Sequence, residues 1–457
     1  MRPEQIMRQQ KPCRRSSKRD MAPFFLASVT ALAAYGYPAH GQQASQSANP
    51  AVVDQAPQRI DPASDASPPS SAAGASPKCP LPQHWDPGMG MCMAGEANPK
   101  SALMFHLNQF FLYSSTSGPR GNSRLTGPGM WMLMYDTDLT PNNHLSVDVM
   151  GSPEQLTVGD KGTPQLLQTE NIDNMHAHDT IMALEFRDAV AIGDGDNQKL
   201  TFLFAPRGEA AIGPVPFMHR ESAEGNPDAP LGHALQDGFH DASTVFGIEY
   251  QLARTTLEAT AFSGRNISWP FPLHSPDSYG LRVNQGLDDH VTVGASYADA
   301  LLPDDAGGAE HNRFISAWLT TSHQIHGDTL KSAFVWGQAR AGHGAPFNSF
   351  LEEAVYQQGE NKLYGRAEVL QIAPDQLALV IANSAADPKW VEALTVGYER
   401  TLFEKDDLTL LLGASYTKDW VPGTFHPAYG SDPRGFKVYL RIKFMKVDAG
   451  LRGKAIG

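Results

Sequence analysis

The chain has 457 residues, of which 41% are hydrophobic and 19% are charged, and its formal net charge is −13. This length is enough for one large domain with appendages. The acidic balance argues against nucleic-acid binding, and the sequence has no basic stripe with interleaved aromatic residues.

The first 41 residues have the three-part layout of a secretory signal peptide. A basic stretch precedes an apolar run, 24–37, and small residues follow at Ala39 and Gly41. The alternative is a retained membrane anchor, but the run is short for a bilayer and contains Ser, Thr and Pro. The pattern therefore predicts cleavage near Gln42 and export of the remaining chain.

Two short regions follow the predicted signal peptide. Residues 42–78 are mostly Ala, Ser, Pro, Gln and Asp, which predicts a disordered periplasmic linker because little apolar surface is available to offset the ordering entropy. Residues 79–100 form a small Cys/Met-rich segment with thiols at Cys79 and Cys92. In an oxidising compartment these cysteines can form a disulfide, and with the nearby methionines they can bind a soft metal; both readings stay open.

From about residue 101 onward, alternating strand patterns dominate. In 436–444, Phe, Val, Leu, Ile and Phe alternate with Lys, Tyr, Arg and Lys. A strand sends alternate side chains to opposite faces, so this segment touches an apolar medium on one side and water on the other. Similar alternation recurs at 244–252, 290–298 and 408–416. Together with the export signal, it predicts strands in a bacterial outer membrane.

Hairpin signals separate these strands and set their number. Roughly sixteen strands, within a range of about fourteen to eighteen, fit residues 101–446 and predict an all-β, transmembrane antiparallel β-barrel. A C-terminal tail, 447–457, would follow. A soluble all-β fold is the alternative, because Leu370 and Leu411 fall on the otherwise polar face. The charges predicted to line the lumen are Glu258, Arg366, Lys437, Arg441 and Lys443.

A run of methionines is the first candidate for metal chemistry. Met130, Met132 and Met134 share one face of a predicted strand, whereas Trp131 and Leu133 share the lipid face. The methionines would therefore face the lumen. Thioethers suit copper(I), but methionine also fills gaps in ordinary packing.

Histidines supply the second candidate set. His176 and His178, followed by Asp179, are spaced to chelate one ion, but a position at the membrane rim or just before a strand is the favoured reading. Segment 213–241 is too long for a periplasmic turn and is predicted to constrict the lumen. Imidazole and carboxylate bind zinc or copper(II), but the spacings in this segment match no compact site. Its histidines are His219, His233 and His240.

Several stretches resemble a family of Gram-negative exported barrel proteins with no agreed activity, often encoded near heavy-metal, particularly copper, resistance determinants. The similarity covers about 103–370 and includes Pro-Phe-Met-His-Arg at 216–220 and Asn-Pro-Asp-Ala-Pro-Leu-Gly-His at 226–233. Residues 176–179 read His-Ala-His-Asp where the family has His-Pro-His-Asp, and Ala234-Leu235 replace a His-Trp pair. The resemblance implies an outer-membrane location and a metal context.

These observations predict a barrel that passes or handles small solutes or metal ions, with copper favoured. Its partners would be outer-membrane lipid and the solute or ion. The sequence has no nucleophile elbow, zinc-protease motif or phosphate loop, so no enzyme is predicted. The alternatives are a plugged metal-binding or structural barrel without an open pore, and an outer-membrane enzyme.

Overall fold

The computed structural model describes residues 83–86, 91–94, 101–193, 197–264, 273–303, 308–380 and 387–449. The predicted signal peptide and linker, and with them Cys79, lie outside the described residues. Within these ranges no helix is long and apolar enough to cross a membrane.

A small hairpin lies within the predicted Cys/Met-rich segment. Strands β1 (Gln83–Asp86) and β2 (Met91–Ala94) pair antiparallel, with Trp85 opposite Cys92. The choice between a disulfide and a metal site stays open, because it also depends on Cys79.

The remaining strands begin at Ser101 and form one sheet, apart from a two-stranded pair of β7 and β8. Their bounds are β3 (Ser101–Thr116), β4 (Ser123–Thr126), β5 (Gly129–Thr140), β6 (Asn143–Gly151), β7 (Thr163–Pro164), β8 (Asn174–Met175), β9 (Ala183–Ala191), β10 (Gln198–Gly208), β11 (Ala242–Leu252), β12 (Thr255–Ser263), β13 (Ser278–Gly286), β14 (Val291–Pro303), β15 (Ala309–Ile325), β16 (Asp328–Ala341), β17 (Phe347–Gln358), β18 (Asn361–Ile372), β19 (Lys389–Lys405), β20 (Leu408–Trp420) and β21 (Arg434–Ala449).

Short helices occur only in the connections of the described chain. Those with α geometry are Glu154–Thr157, His233–Gln236 and His426–Tyr429, and those with 3₁₀ geometry are Glu221–Ala223, Asp375–Leu377 and Gly423–Phe425.

The large sheet closes into an antiparallel barrel of 16 strands, with β4 and β5 together taking one position beside β3. Pairing of β21 with β3 completes the ring. The predicted barrel is therefore confirmed, and its strand number falls in the middle of the predicted range. The last strand extends to Ala449, beyond the predicted barrel end at 446.

The two ends of the barrel differ in the length of their connections. At one end, tight turns join β11 to β12, β15 to β16 and β19 to β20. In the second of these turns, His326 has φ 53° and Gly327 has φ 95°, and positive φ at both positions matches the twist of a two-residue hairpin. We call this the short-turn end, which faces the periplasm in barrels of this type, and the opposite one the long-loop end.

The alternation predicted from the sequence separates lipid from lumen. On β21, Phe436 is 46% exposed on the outer face, whereas Lys437 and Arg441 are buried on the inner face. The arrangement recurs around a closed ring, which encloses a lumen instead of a dry core between two packed sheets, so the soluble all-β alternative is wrong. Outward-facing apolar residues include Phe111, Leu133, Phe186, Phe202, Phe246, Ile248, Leu281, Ile315, Leu363, Val396, Leu412 and Val438.

A charge placed on the outer face should destabilise the barrel according to its depth. Leu281 lies near the middle of β13 and is 50% exposed. We expect Leu281→Lys to lower the free energy of unfolding in lipid vesicles by about 2–4 kcal/mol. Leu287→Lys, in the turn after the same strand, should cost roughly 0–1 kcal/mol. Equal losses in the two variants would contradict the lipid assignment.

Candidate functional site

Residues 209–241, here called the lumen loop, connect β10 to β11 and cross the inside of the barrel. On one side, the Gly213 N–H donates to Ser296 Oγ of β14 at 2.8 Å. On the other, the Tyr439 hydroxyl of β21 donates to the Gly225 carbonyl at 2.7 Å. The segment predicted to constrict the lumen therefore does so, held by contacts with opposite walls.

Buried ions fix the middle of the lumen loop. The Arg220 guanidinium lies 2.7 Å from Asp237 within the loop and 2.6 Å from Glu353 on β17, which also lies 2.9 Å from Arg366 on β18. No side chain in this buried ion-pair network is more than 3% exposed. Burial alone would raise the pKa of Asp237, but His233 and Arg220 lower it to about 2. Such charges are tolerated in a low dielectric because each has a partner.

Glu224 attaches the lumen loop to a second part of the wall. Its carboxylate lies 2.5 Å from Lys443, 2.9 Å from Lys362 and 3.8 Å from Arg441. Burial would raise the pKa of Glu224, but the surrounding cations hold it well below its usual range. The carboxylate thus remains ionised and positions the loop against β18 and β21.

A cavity of about 1590 Å³ lies between the lumen loop and the short-turn end. Of the charges predicted to line the lumen, Glu258, Arg441 and Lys443 line this cavity, and Arg366 and Lys437 face inward around the loop. Acidic side chains outnumber basic ones along the lining. Its mouth is formed by turns bearing Asp288, Asp289, Asp406 and Asp407.

An apolar cluster, here called the apolar plug, lies at the long-loop end. It joins the connections 152–182 and 421–433 to the lumen loop and to strands β18 and β19. Leu370, which the sequence placed on the otherwise polar face, points inward and packs in this cluster. A carboxylate beneath it, Asp173, accepts a hydrogen bond from Tyr429 at 2.9 Å. Its members are Leu166, Leu167, Leu231, Leu370, Ile372, Leu377, Val391, Ala393, Phe425 and Tyr429.

Methionines cover one inner wall of the barrel. Met130, Met132 and Met134 face inward as predicted and are 5%, 7% and 4% exposed. Sequence reasoning missed the other members, although methionines at inward positions of β3 and β6 gave the signal. This methionine wall consists of Met104, Met130, Met132, Met134, Met150 and Met182, with Met218 and Met445 packed against it.

Four predicted histidines from two separate segments meet in a row near the long-loop end. Ring centroids are 5.0 Å apart for His176 and His178, 5.9 Å for His178 and His240, and 5.1 Å for His240 and His233. His176 and His178 precede β9, as the strand-start alternative predicted. The row brings four imidazoles together. The distances above are between ring centroids, and they do not place the ring nitrogens around one common point.

Three of the four histidines in this row pair with carboxylates. Burial would lower the pKa of His233, but the adjacent Asp237 raises it. Asp179 lies 2.6 Å from Arg207, which turns this predicted ligand away from the histidines. Among the described residues, no group of three or more His, Cys, Asp or Glu side chains could hold a metal ion. The Nδ1–carboxylate pairs are His176 with Glu170 at 2.9 Å, His178 with Glu154 at 2.8 Å and His233 with Asp237 at 2.6 Å.

His219 stands apart from the row and lies against the methionine wall. Its Nε2 is 3.2 Å from Met150 Sδ. Burial lowers the pKa of His219 to about 4, so its imidazole is neutral at physiological pH. Its Nδ1 has no hydrogen-bond partner in the described part of the chain. His106 on β3, which sequence reasoning missed, lines the same cavity as His219.

Comparison with solved structures finds matches with TM-scores below 0.5. The anion-selective porin from Comamonas acidovorans is 10% identical over 76% of this chain and all of its own, with a TM-score of 0.49. OmpF of Salmonella typhi, solved with daunomycin, is 9% identical over 75% of this chain and 97% of its own, with a TM-score of 0.47. The channel DcaP of Acinetobacter baumannii is 10% identical over 75% and 96%, with a TM-score of 0.46. At this level of similarity no function is transferred.

No protein-family profile matches the sequence, and no curated protein gives a significant match. The architecture itself defines the class. A closed 16-strand antiparallel ring, with an apolar outer face and charges inside, is a β-barrel of the bacterial outer membrane.

Proposed function

We propose that this barrel passes small solutes across the outer membrane through a lumen narrowed by the lumen loop, with metal ions, copper favoured, as cargo. The observation that carries the proposal is the cavity of about 1590 Å³, which has charged side chains in its lining and reaches the short-turn end. A water-accessible, charged space of this size has no structural purpose in a barrel that is only a scaffold.

Two features of the lining favour cations. The aspartates at the cavity mouth raise the local concentration of positive ions, because a low-dielectric wall focuses their field. The methionine wall then offers thioether sulfur, which is a soft ligand suited to copper(I). The resemblance of 216–220 and 226–233 to a family encoded near copper-resistance determinants supports the same cargo.

The alternative is a plugged barrel that binds metal without passing it. The apolar plug and the buried ion-pair network favour it, because both lie inside the barrel and narrow its lumen. In this alternative the lumen loop and the apolar plug stay in place. We infer no enzymatic activity, since the sequence has none of the hydrolase or phosphate-binding motifs.

Single-channel conductance of the refolded protein in a planar bilayer tests the proposal. We expect discrete conducting steps and, in a salt gradient, a reversal potential that favours cations. Asp406→Asn/Asp407→Asn should reduce this preference, because both side chains lie at the cavity mouth. Asp160→Asn/Asp375→Asn, on the outside of the long-loop end, should leave it unchanged. A folded barrel that never conducts would establish the plugged alternative.

A further inference from the structure

We propose that His106, Met132, Met150 and His219 form a binding site for a soft monovalent metal ion, Cu(I) or Ag(I). The inference rests on the proposed function for the cargo class and narrows it to one site and one charge state. Of the three methionines that stood out in the sequence, only Met132 belongs to this site. The other three ligands come from β3, β6 and the lumen loop.

The strand register places three of these side chains side by side. Met132 on β5 lies directly opposite His106 on β3 and, on its other edge, directly opposite Met150 on β6. Residues opposite each other in antiparallel strands have Cβ atoms about 4.5–5.5 Å apart. Both methionines are buried, and His106 lines the cavity. The wall therefore presents an unbroken nitrogen–sulfur–sulfur row.

The lumen loop adds the fourth donor from the opposite side. His219 Nε2 lies 3.2 Å from Met150 Sδ. Nitrogen and sulfur ligands bind a small ion at about 2.0–2.3 Å, so two of them on one ion lie roughly 3–4 Å apart. The histidine and the methionine are thus already separated by the distance that a shared ion requires.

Ordinary packing does not account for this arrangement. Methionine fills apolar gaps, which explains a wall of thioethers. It does not explain a buried imidazole that turns its Nε2 to a thioether, since thioether sulfur is only a weak hydrogen-bond acceptor. A polar group buried without a strong partner costs free energy. Coordination of one metal ion by Nε2 and Sδ together would give both atoms a strong interaction.

The ligand set determines the type of ion. Two imidazoles and two thioethers are neutral, and thioether sulfur prefers soft ions such as Cu(I). Because the four ligands carry no charge, a monovalent ion adds less positive charge to this site than a divalent ion. His106 and His219 both line the cavity, so an ion would enter from the short-turn end and pass between them.

Metal titration of the full chain tests the site. All variants carry Cys13→Ser, Cys79→Ser and Cys92→Ser, which together remove every thiol of the chain. The refolded protein in detergent is titrated with Cu(I) against a chromophoric chelator and with Ag(I) by calorimetry. We expect saturable binding, weakened at least tenfold in Met132→Leu/Met150→Leu. X-ray absorption of the Cu(I) form should show both nitrogen and sulfur ligands.

A buried methionine outside the wall provides the control. Met175 is 4% exposed and does not belong to the methionine wall. Met175→Leu should bind Cu(I) as tightly as the parent. Weakening by Met175→Leu equal to that in Met132→Leu/Met150→Leu, or no saturable binding by the parent, would overturn the site.

Binding and passage are measured separately, so their failures can be distinguished. Cu(I) binding in detergent without any bilayer conductance would support the site and reject passage. Conductance without saturable Cu(I) or Ag(I) binding would reject the site and leave passage standing.

Discussion

Replacing Arg220 with leucine is expected to release the lumen loop from the barrel wall and to raise single-channel conductance several-fold. Arg220 is the only cation that the described structure places between Asp237 and Glu353. Its removal takes away the ion that joins Asp237 of the loop to Glu353 of the wall, and leaves these carboxylates only His233 and Arg366 as partners. Breaking a buried ion pair by removing one partner costs about 3–5 kcal/mol, which exceeds the contribution of any single hydrogen bond that holds the loop.

Planar-bilayer recording and amide hydrogen exchange of residues 209–241 measure this release. Arg254→Leu is the matched control, because its ion pair with Asp289 is partly exposed and worth roughly 0–1 kcal/mol. Unchanged exchange in Arg220→Leu would show that the buried network does not hold the loop. A double variant that also carries Asp237→Leu should recover much of the protection, since Glu353 keeps Arg366 as its partner and no unpaired carboxylate remains.

Replacing Phe425 with alanine should open the long-loop end. Phe425 is fully buried in the apolar plug. Truncating a buried phenylalanine to alanine costs about 3–5 kcal/mol through lost burial and the cavity that remains. Because the plug joins separate connections, we expect faster exchange in both 152–182 and 421–433, while the hydrogen-bonded strands stay protected.

Hydrogen exchange resolved by segment measures this effect. Phe436→Ala removes the same side chain from the lipid-facing surface, where Phe436 is 46% exposed, and should leave exchange in both connections unchanged. If Phe425→Ala alters only its own connection, the plug is a set of independent contacts rather than one cooperative unit.

The barrel could be predicted from the sequence because the alternation of residues within each strand, taken alone, indicates the two faces of that strand. The pattern at 436–444 gives both faces of β21, and it does so without knowledge of any other strand. The inward face of Met130, Met132 and Met134 followed from the same rule. The sequence alone could not explain Leu370, because the burial of a leucine at a lumen position depends on packing against Leu231 and Phe425. Both of these residues lie in distant connections.

The candidate site depended on contacts that periodicity does not encode. Arg220 and Glu353 are 133 residues apart, and their pairing depends on how the lumen loop folds back into the ring. His106 was missed because a single histidine on a strand has no distinguishing neighbour in the sequence. Its importance appears only when register places it beside Met132 and the loop brings His219 close.

Closure of the ring by β3 and β21 has a consequence for biogenesis. Arg441 of β21 donates to Asn108 of β3, a residue 333 positions earlier in the chain. Until the final strand is available, the growing sheet has two open edges whose backbone groups can pair with other chains. Contacts of such long range also make folding slow, because the ends must meet before the closing pairs form. The exported polypeptide must therefore be kept from aggregating in the periplasm until its full length has crossed the inner membrane.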